Sequence, residues 1–128
     1  MDFTLKTTIV ASAKEIYDAW LNSDGHSSMT GGEAMASNEI GKNYSAWDGY
    51  ISGKNITLDE NKRIVQSWRT TQFEENEQDS QIELVFTENN GKTELILQHT
   101  KVPESGEHYK KGWVEHYFQP MKIYFENK

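Results

Sequence analysis

The apolar residues of this chain keep two rhythms, and the last change between them, near Pro103, constrains the fold more than any other feature. Before it, apolar and polar residues alternate at the two-residue period of a half-buried strand. Phe3, Leu5, Thr7 and Ile9 alternate with Thr4, Lys6 and Thr8; Ile64, Gln66 and Trp68 alternate with Val65, Ser67 and Arg69. Ile82, Leu84 and Phe86 follow the same rule, as do Thr93, Leu95, Leu97 and His99 after Asn89-Asn90-Gly91-Lys92, a hairpin-turn signal. Beyond Pro103, Tyr109, Trp113, His116, Tyr117, Met121, Tyr124 and Phe125 fall at three- and four-residue steps, the period of an amphipathic helix running to the C-terminus. Pro120 lies inside that helix. It lacks an N–H and crowds the carbonyl four residues back, so a kink near residues 116–120 is expected.

The remaining segments order themselves around these two blocks. Ser12 with Glu15 three residues on makes a capping box, and Ile16, Ala19 and Trp20 give the helical face that follows. Asn22 to Gly32 is polar and Gly-rich, with Met29 its one large apolar residue, and reads as a second short helix ending at Gly31-Gly32. Tyr44 to Ser52 is an aromatic-rich strand in which Gly49, with Gly53 just beyond, signals bulges or tight curvature. Asp59 to Lys62 is a turn, and Glu74 to Ser80 is a solvated loop. A sheet built this way has one face to bury, and only the last helix is long enough to cover it. The fold class is therefore α+β: a curved antiparallel sheet of about six strands around a long C-terminal helix, with one or two short helices after the first strand.

Size and charge then narrow the partners. The 128 residues fit one domain, spanning 1–128. No cysteine is present, which excludes disulfides, thiolate metal sites and cysteine nucleophiles together. No apolar run approaches the ~20 residues that cross a bilayer. The N-terminus has no basic segment followed by an apolar stretch, so a cytoplasmic location is expected and the sequons at Asn43 and Asn55 read as coincidence. A net charge of −7 repels phosphate backbones and anionic headgroups, arguing against nucleic acid and membrane surfaces as partners.

The search for chemistry returns little that is catalytic. His26, His99, His108 and His116 lack metal-ligand spacing, no serine sits in a nucleophile-elbow setting, and no cofactor motif appears. Asp48, beside Gly49, suits turn chemistry, and Glu83 and Glu94 alternate outward with the polar face. His99 points the same way as Leu95 and Leu97, so an imidazole beneath the helix could bind or protonate a ligand, or be held by a nearby carbonyl or hydroxyl. The aromatic set is the stronger candidate, with four Trp, six Tyr and five Phe in a polar chain. Trp47, Trp68 and Phe86 on strands would face Trp113, Tyr117 and Met121 on the helix, either filling the core or lining a cavity of a few hundred Å³. Trp20, Met29, Tyr44, Ile51, Leu97 and His99 complete the expected lining, with the tips of Tyr44, Tyr117 and His99 orienting a small, mostly apolar ligand.

Several segments carry a resemblance. Trp47-Asp48-Gly49-Tyr50-Ile51-Ser52-Gly53-Lys54-Asn55, Arg63-Ile64-Val65-Gln66-Ser67-Trp68-Arg69, Gly91-Lys92-Thr93-Glu94-Leu95 before Val102-Pro103, and Gly112-Trp113-Val114-Glu115-His116-Tyr117-Phe118 occur in order along the chain. In these the chain resembles the family named after the activator of the HSP-90 ATPase, in its C-terminal domain, within the START and birch-pollen-allergen superfamily. The resemblance covers essentially the whole chain and implies the helix-grip fold and the pairing order of its sheet. The leading functional expectation is a non-enzymatic domain binding a small hydrophobic or aromatic ligand between sheet and helix. The resemblance implies an alternative, a protein-interaction module modulating an HSP-90-type chaperone. A third expectation is an enzyme using His99 or Asp48 on a bound hydrophobic substrate. Either a monomer or a weak homodimer fits the sequence.

Overall fold

The computed structural model describes residues 1–128. Strand β1 (Phe3–Ile9) is followed by helices α1 (Ala13–Trp20) and α2 (Ser23–Thr30). Then come β2 (Asn43–Ala46), β3 (Ile51–Asp59), β4 (Arg63–Thr70), β5 (Ser80–Asn89) and β6 (Lys92–Thr100). A 3-10 turn (Glu104–Gly106) leads to α3 (Tyr109–Trp113), a π-helical turn (Val114–Phe118) and α4 (Gln119–Glu126), which run on without a break as the C-terminal helix.

The six strands form one antiparallel sheet in the order β1-β6-β5-β4-β3-β2. From β2 to β6 the chain simply meanders, and β1 returns beside β6 with Phe3 opposite His99 and Ile9 opposite Thr93. This is the helix-grip architecture, with the C-terminal helix laid on the buried face. Local chemistry sets the joints. Ser12 Oγ accepts from the Glu15 N–H while the Glu15 carboxylate accepts from the Ser12 N–H, the expected capping box. Gly31 ends α2 in the left-handed conformation. Asn90 and Gly91 both take positive φ, so Asn89 faces Lys92 across a two-residue hairpin turn.

Two local expectations take a different form. Tyr44 to Ser52 is not one strand: Trp47 (φ 53°), Asp48 (φ 57°) and Gly49 (φ 86°) are successively left-handed and reverse the chain between β2 and β3. Glycine adopts that conformation freely and aspartate tolerates it, but a tryptophan there is strained. Pro120 distorts the helix through its hydrogen-bond pattern: the Gln119 N–H donates to the Val114 carbonyl, five residues back, just before the proline. The wider turn relieves the clash of the proline ring with the preceding backbone.

The core follows from the helical period. Tyr109, Trp113, Tyr117, Met121 and Phe125 recur every fourth residue and are buried. Trp113 packs on Trp68 (ring centroids 5.6 Å) and Tyr117 on Trp20 (5.0 Å), and burial of such side chains contributes roughly 1.5–3 kcal/mol each. Phe86 turns elsewhere. It sits edge-on to Tyr17 of α1 at 6.0 Å, because β5 passes beneath α1 at that point. A polar ladder also crosses the core: the Trp20 indole donates to Gln66 Oε1 (3.1 Å) and the Gln66 amide donates to Asn55 Oδ1 (2.8 Å). Asn55 Nδ2 then donates to the Ser37 and Glu39 carbonyls, both at 2.9 Å. Replacing Asn55 by Ala strands the buried Gln66 amide and frees two partly buried loop carbonyls, so Asn55→Ala is expected to cost about 2 kcal/mol in urea unfolding. A loss below ~0.5 kcal/mol would contradict the ladder's role.

Candidate functional site

The largely apolar cleft lies where the β2–β3 turn meets the start of the C-terminal helix, and it encloses about 450 Å³. Trp47, Tyr50, Ile51 and Trp68 form its sheet side; His108, Tyr109, Lys111, Gly112, Trp113, Glu115, His116 and Tyr117 form its helix side. Trp47 owes its position to the left-handed turn and to Gly32, where a Cβ would come within 2.4 Å of the indole. Its ring stands edge-on to His116 at 5.5 Å, and its N–H is buried without an acceptor. Trp68 and Trp113 make the floor, with Tyr109 edge-on to Trp68 at 5.0 Å.

Hydrogen bonds fix one edge of the cleft in advance. The Tyr109 and Thr70 hydroxyls meet at 2.5 Å. Gln72 Oε1 accepts from the Tyr50 hydroxyl and from His108 Nε2 (3.1 Å), which makes Nε2 the protonated nitrogen of that imidazole. The floor is braced by two buried histidines in opposite tautomers. His99 Nδ1 accepts from the Trp113 indole (3.0 Å), so its Nε2–H donates to Ser80 Oγ (2.8 Å), which donates in turn to the Trp68 carbonyl (2.9 Å). His26 Nδ1–H donates to the Trp20 carbonyl (2.8 Å) and Nε2 accepts from the Tyr117 hydroxyl (3.0 Å). Burial lowers the pKa of His99 to about 3 and lowers that of His26 as well, against a partial upward pull from the Trp20 carbonyl. Burial raises the Tyr117 pKa, keeping its hydroxyl a donor. Both rings are therefore neutral braces with every nitrogen engaged.

Of the side chains expected around a cavity, Trp47, Ile51, Trp68, Trp113 and Tyr117 come together at this cleft. Trp20, Met29, Tyr44, Phe86, Leu97, His99 and Met121 lie within the packed interior instead. Tyr44 spends its hydroxyl on the Ser67 carbonyl (2.6 Å). The sequence reading did not place Tyr50, His108, Tyr109, Lys111, Gly112, Glu115 or His116 around a cavity. For those on the helix the signal was spacing: Lys111 with Glu115, and Gly112 with His116, are four-residue pairs beside the Trp113–Tyr117 stripe, so the cleft opens along the helix flank. Asp48 is exposed in the turn. No group of three or more His, Asp or Glu side chains is placed to hold a metal ion, and no helix is long and apolar enough to cross a membrane.

Comparison with known proteins adds kinship to this geometry. A family model described as Activator of Hsp90 ATPase homolog 1-like protein matches residues 10–126. Activator of 90 kDa heat shock protein ATPase homolog 1 of Homo sapiens is 30% identical over 123 residues, 95% of this chain and 36% of the relative. The chain thus spans about a third of the length of the curated relatives it matches. Among solved structures, an HSP90 activator from Plasmodium falciparum superposes with a TM-score of 0.87 at 19% identity, covering 96% of this chain and 94% of that one. The Aha1 dimer from Colwellia psychrerythraea gives a TM-score of 0.83 at 18% identity, covering 98% and 96%. These two likenesses concern the fold.

Proposed function

This chain belongs to the Activator of Hsp90 ATPase homolog 1-like family, and from that premise we propose that it is a non-enzymatic domain binding a small, mostly apolar ligand in the cleft beside its C-terminal helix. Gly112 carries the reading. A glycine inside a helix costs ~0.5–1 kcal/mol relative to alanine, yet a Cβ at 112 would meet no atom within 4 Å. Packing therefore does not demand a glycine here. A larger side chain at this position would instead occupy the cleft that Gly112 lines. The volume and the aromatic walls suit a drug-sized apolar molecule.

The test uses two substitutions at one position. Gly112→Ala is expected to raise stability by ~0.5–1 kcal/mol, and Gly112→Trp to fold but fill the cleft. Wild-type protein should gain melting temperature with some member of a lipid and aromatic-metabolite panel, since the ligand binds only the folded state. The Trp variant should not. A silent wild type, or a Trp variant responding as strongly as wild type, contradicts the proposal.

A second reading is supported by the relatives named as Hsp90 activators. In it this domain changes the ATPase rate of an Hsp90-type chaperone, with its acidic surface steering association toward a basic patch. A dose-dependent change in that rate on adding the protein is the expected result. An unchanged rate at high excess counts against it.

A further inference from the structure

We propose that the cleft takes an uncharged molecule whose apolar body carries a carbonyl oxygen, as in a ketone, ester or lactone, and that this oxygen accepts from the Trp68 indole N–H. The inference rests on the cleft reading above and goes beyond it by giving the ligand a polar group and that group a seat.

The four indole N–H groups carry the argument. Trp20 donates to Gln66 Oε1 and Trp113 to His99 Nδ1, as buried indoles ordinarily do. Trp47 and Trp68 both line the cleft, and neither donates its N–H to any group of the protein. The two differ in access. The Trp47 N–H is sealed from solvent, so a ligand cannot reach it while the turn at 47–49 holds its shape. Trp68 is held in β4 between β3 and β5, is 3% exposed, and has Phe73, His99, Tyr109 and Trp113 around its ring. Its N–H stays open to solvent-sized space even so, and the space that this ring lines is the cleft. An N–H left unpaired at an apolar floor costs free energy, which an arriving acceptor recovers.

The neighbouring polar groups are already engaged. The Tyr117 hydroxyl donates to His26, and those of Tyr109 and Thr70 bond each other. At the rim Lys111 and Glu115 offset one another. No net charge is left to hold a carboxylate or an ammonium ion against the cost of burying it. A neutral oxygen therefore matches the floor better than an ion or a second donor.

The test uses three ligands on one naphthalene body at pH 7.5: 2-acetylnaphthalene; 2-isopropenylnaphthalene, in which CH2 replaces the carbonyl oxygen; and 2-naphthoate. A two-dimensional NMR spectrum of the indole N–H groups holds one signal per tryptophan, four in this chain. The Trp68 signal is expected to move downfield with the ketone, beyond any movement the alkene causes, while that of Trp20 stays in place. Calorimetry adds a second measurement: Trp68→Phe should lower the ratio of ketone to alkene affinity about tenfold, the worth of one hydrogen bond. The ratio cancels the loss of ring area common to both ligands. If that variant does not fold, the wild-type spectrum decides alone. Equal movement of the Trp68 signal with ketone and alkene, an unchanged ratio, or tighter binding of naphthoate than of the ketone overturns this inference and leaves the cleft reading standing. Failure of all three to bind overturns both.

Discussion

Lowering the pH from 7 to 4.5 is expected to remove roughly 2.5 kcal/mol of folding stability through His99 alone. Its pKa in the fold is about 3, set by burial, against an ordinary value of 6.5. Between those values the unfolded chain binds a proton that the folded one refuses, so stability falls as pH falls through 6.5 and the loss is complete near 3. His26, whose pKa burial also lowers, acts in the same direction. Protonation would also force a donor onto His99 Nδ1 against the Trp113 indole N–H, which can only donate, whereas at His26 Nε2 the Tyr117 hydroxyl can turn to accept. The conflict at His99 lies directly beneath the cleft floor. Urea unfolding at the two pH values measures the loss, and imidazole NMR assigns it. A His99 ring that remains neutral at pH 4.5 supports the account; one titrating near 6.5 contradicts it.

Gly53→Ala should destabilise the protein by about 3 kcal/mol or more, or prevent folding. A Cβ at position 53 would lie 1.9 Å from the Ser67 carbonyl oxygen and 2.8 Å from the Tyr44 ring. The first is backbone, and it is already fixed as the acceptor of the Tyr44 hydroxyl. Strand β3 would have to lift from β4 at the point where the sheet brings Ile51 and Trp68 to the cleft. Denaturant unfolding checks this, and a loss under ~1 kcal/mol would mean that the two strands are not held as described.

Much of the fold was legible because periodicity reports burial directly. Alternation set His99 inward with Leu95 and Leu97, and the four-residue step set Trp113, Tyr117 and Met121 on the inner face of the helix; all are buried. The Asn90-Gly91 turn and the Ser12–Glu15 cap were legible because their chemistry is local. The left-handed run at Trp47 was not, since a tryptophan in that conformation is held by distant Gly32 and His116. Nor was the position of the cleft. Strand and helix periods say which side chains turn inward, but not where two surfaces fail to meet. Phe86 and Met121 turn inward and find partners; Trp47 and Trp113 turn inward beside a helix flank that carries glycine at 112. The tautomers of His26 and His99 depend on partners far along the chain, which spacing does not disclose.

The central claim is that a ligand enters beside the C-terminal helix. The most direct measurement is a two-dimensional amide NMR titration of the wild-type protein with the strongest stabiliser from the ligand panel. The expected result is a set of large shifts confined to residues 47–51 and 108–117, absent in Gly112→Trp. Shifts centred instead on residues 15–25 and 36–40, where Glu15, Asp18, Asp24 and Glu39 line a second, acidic groove, would contradict it.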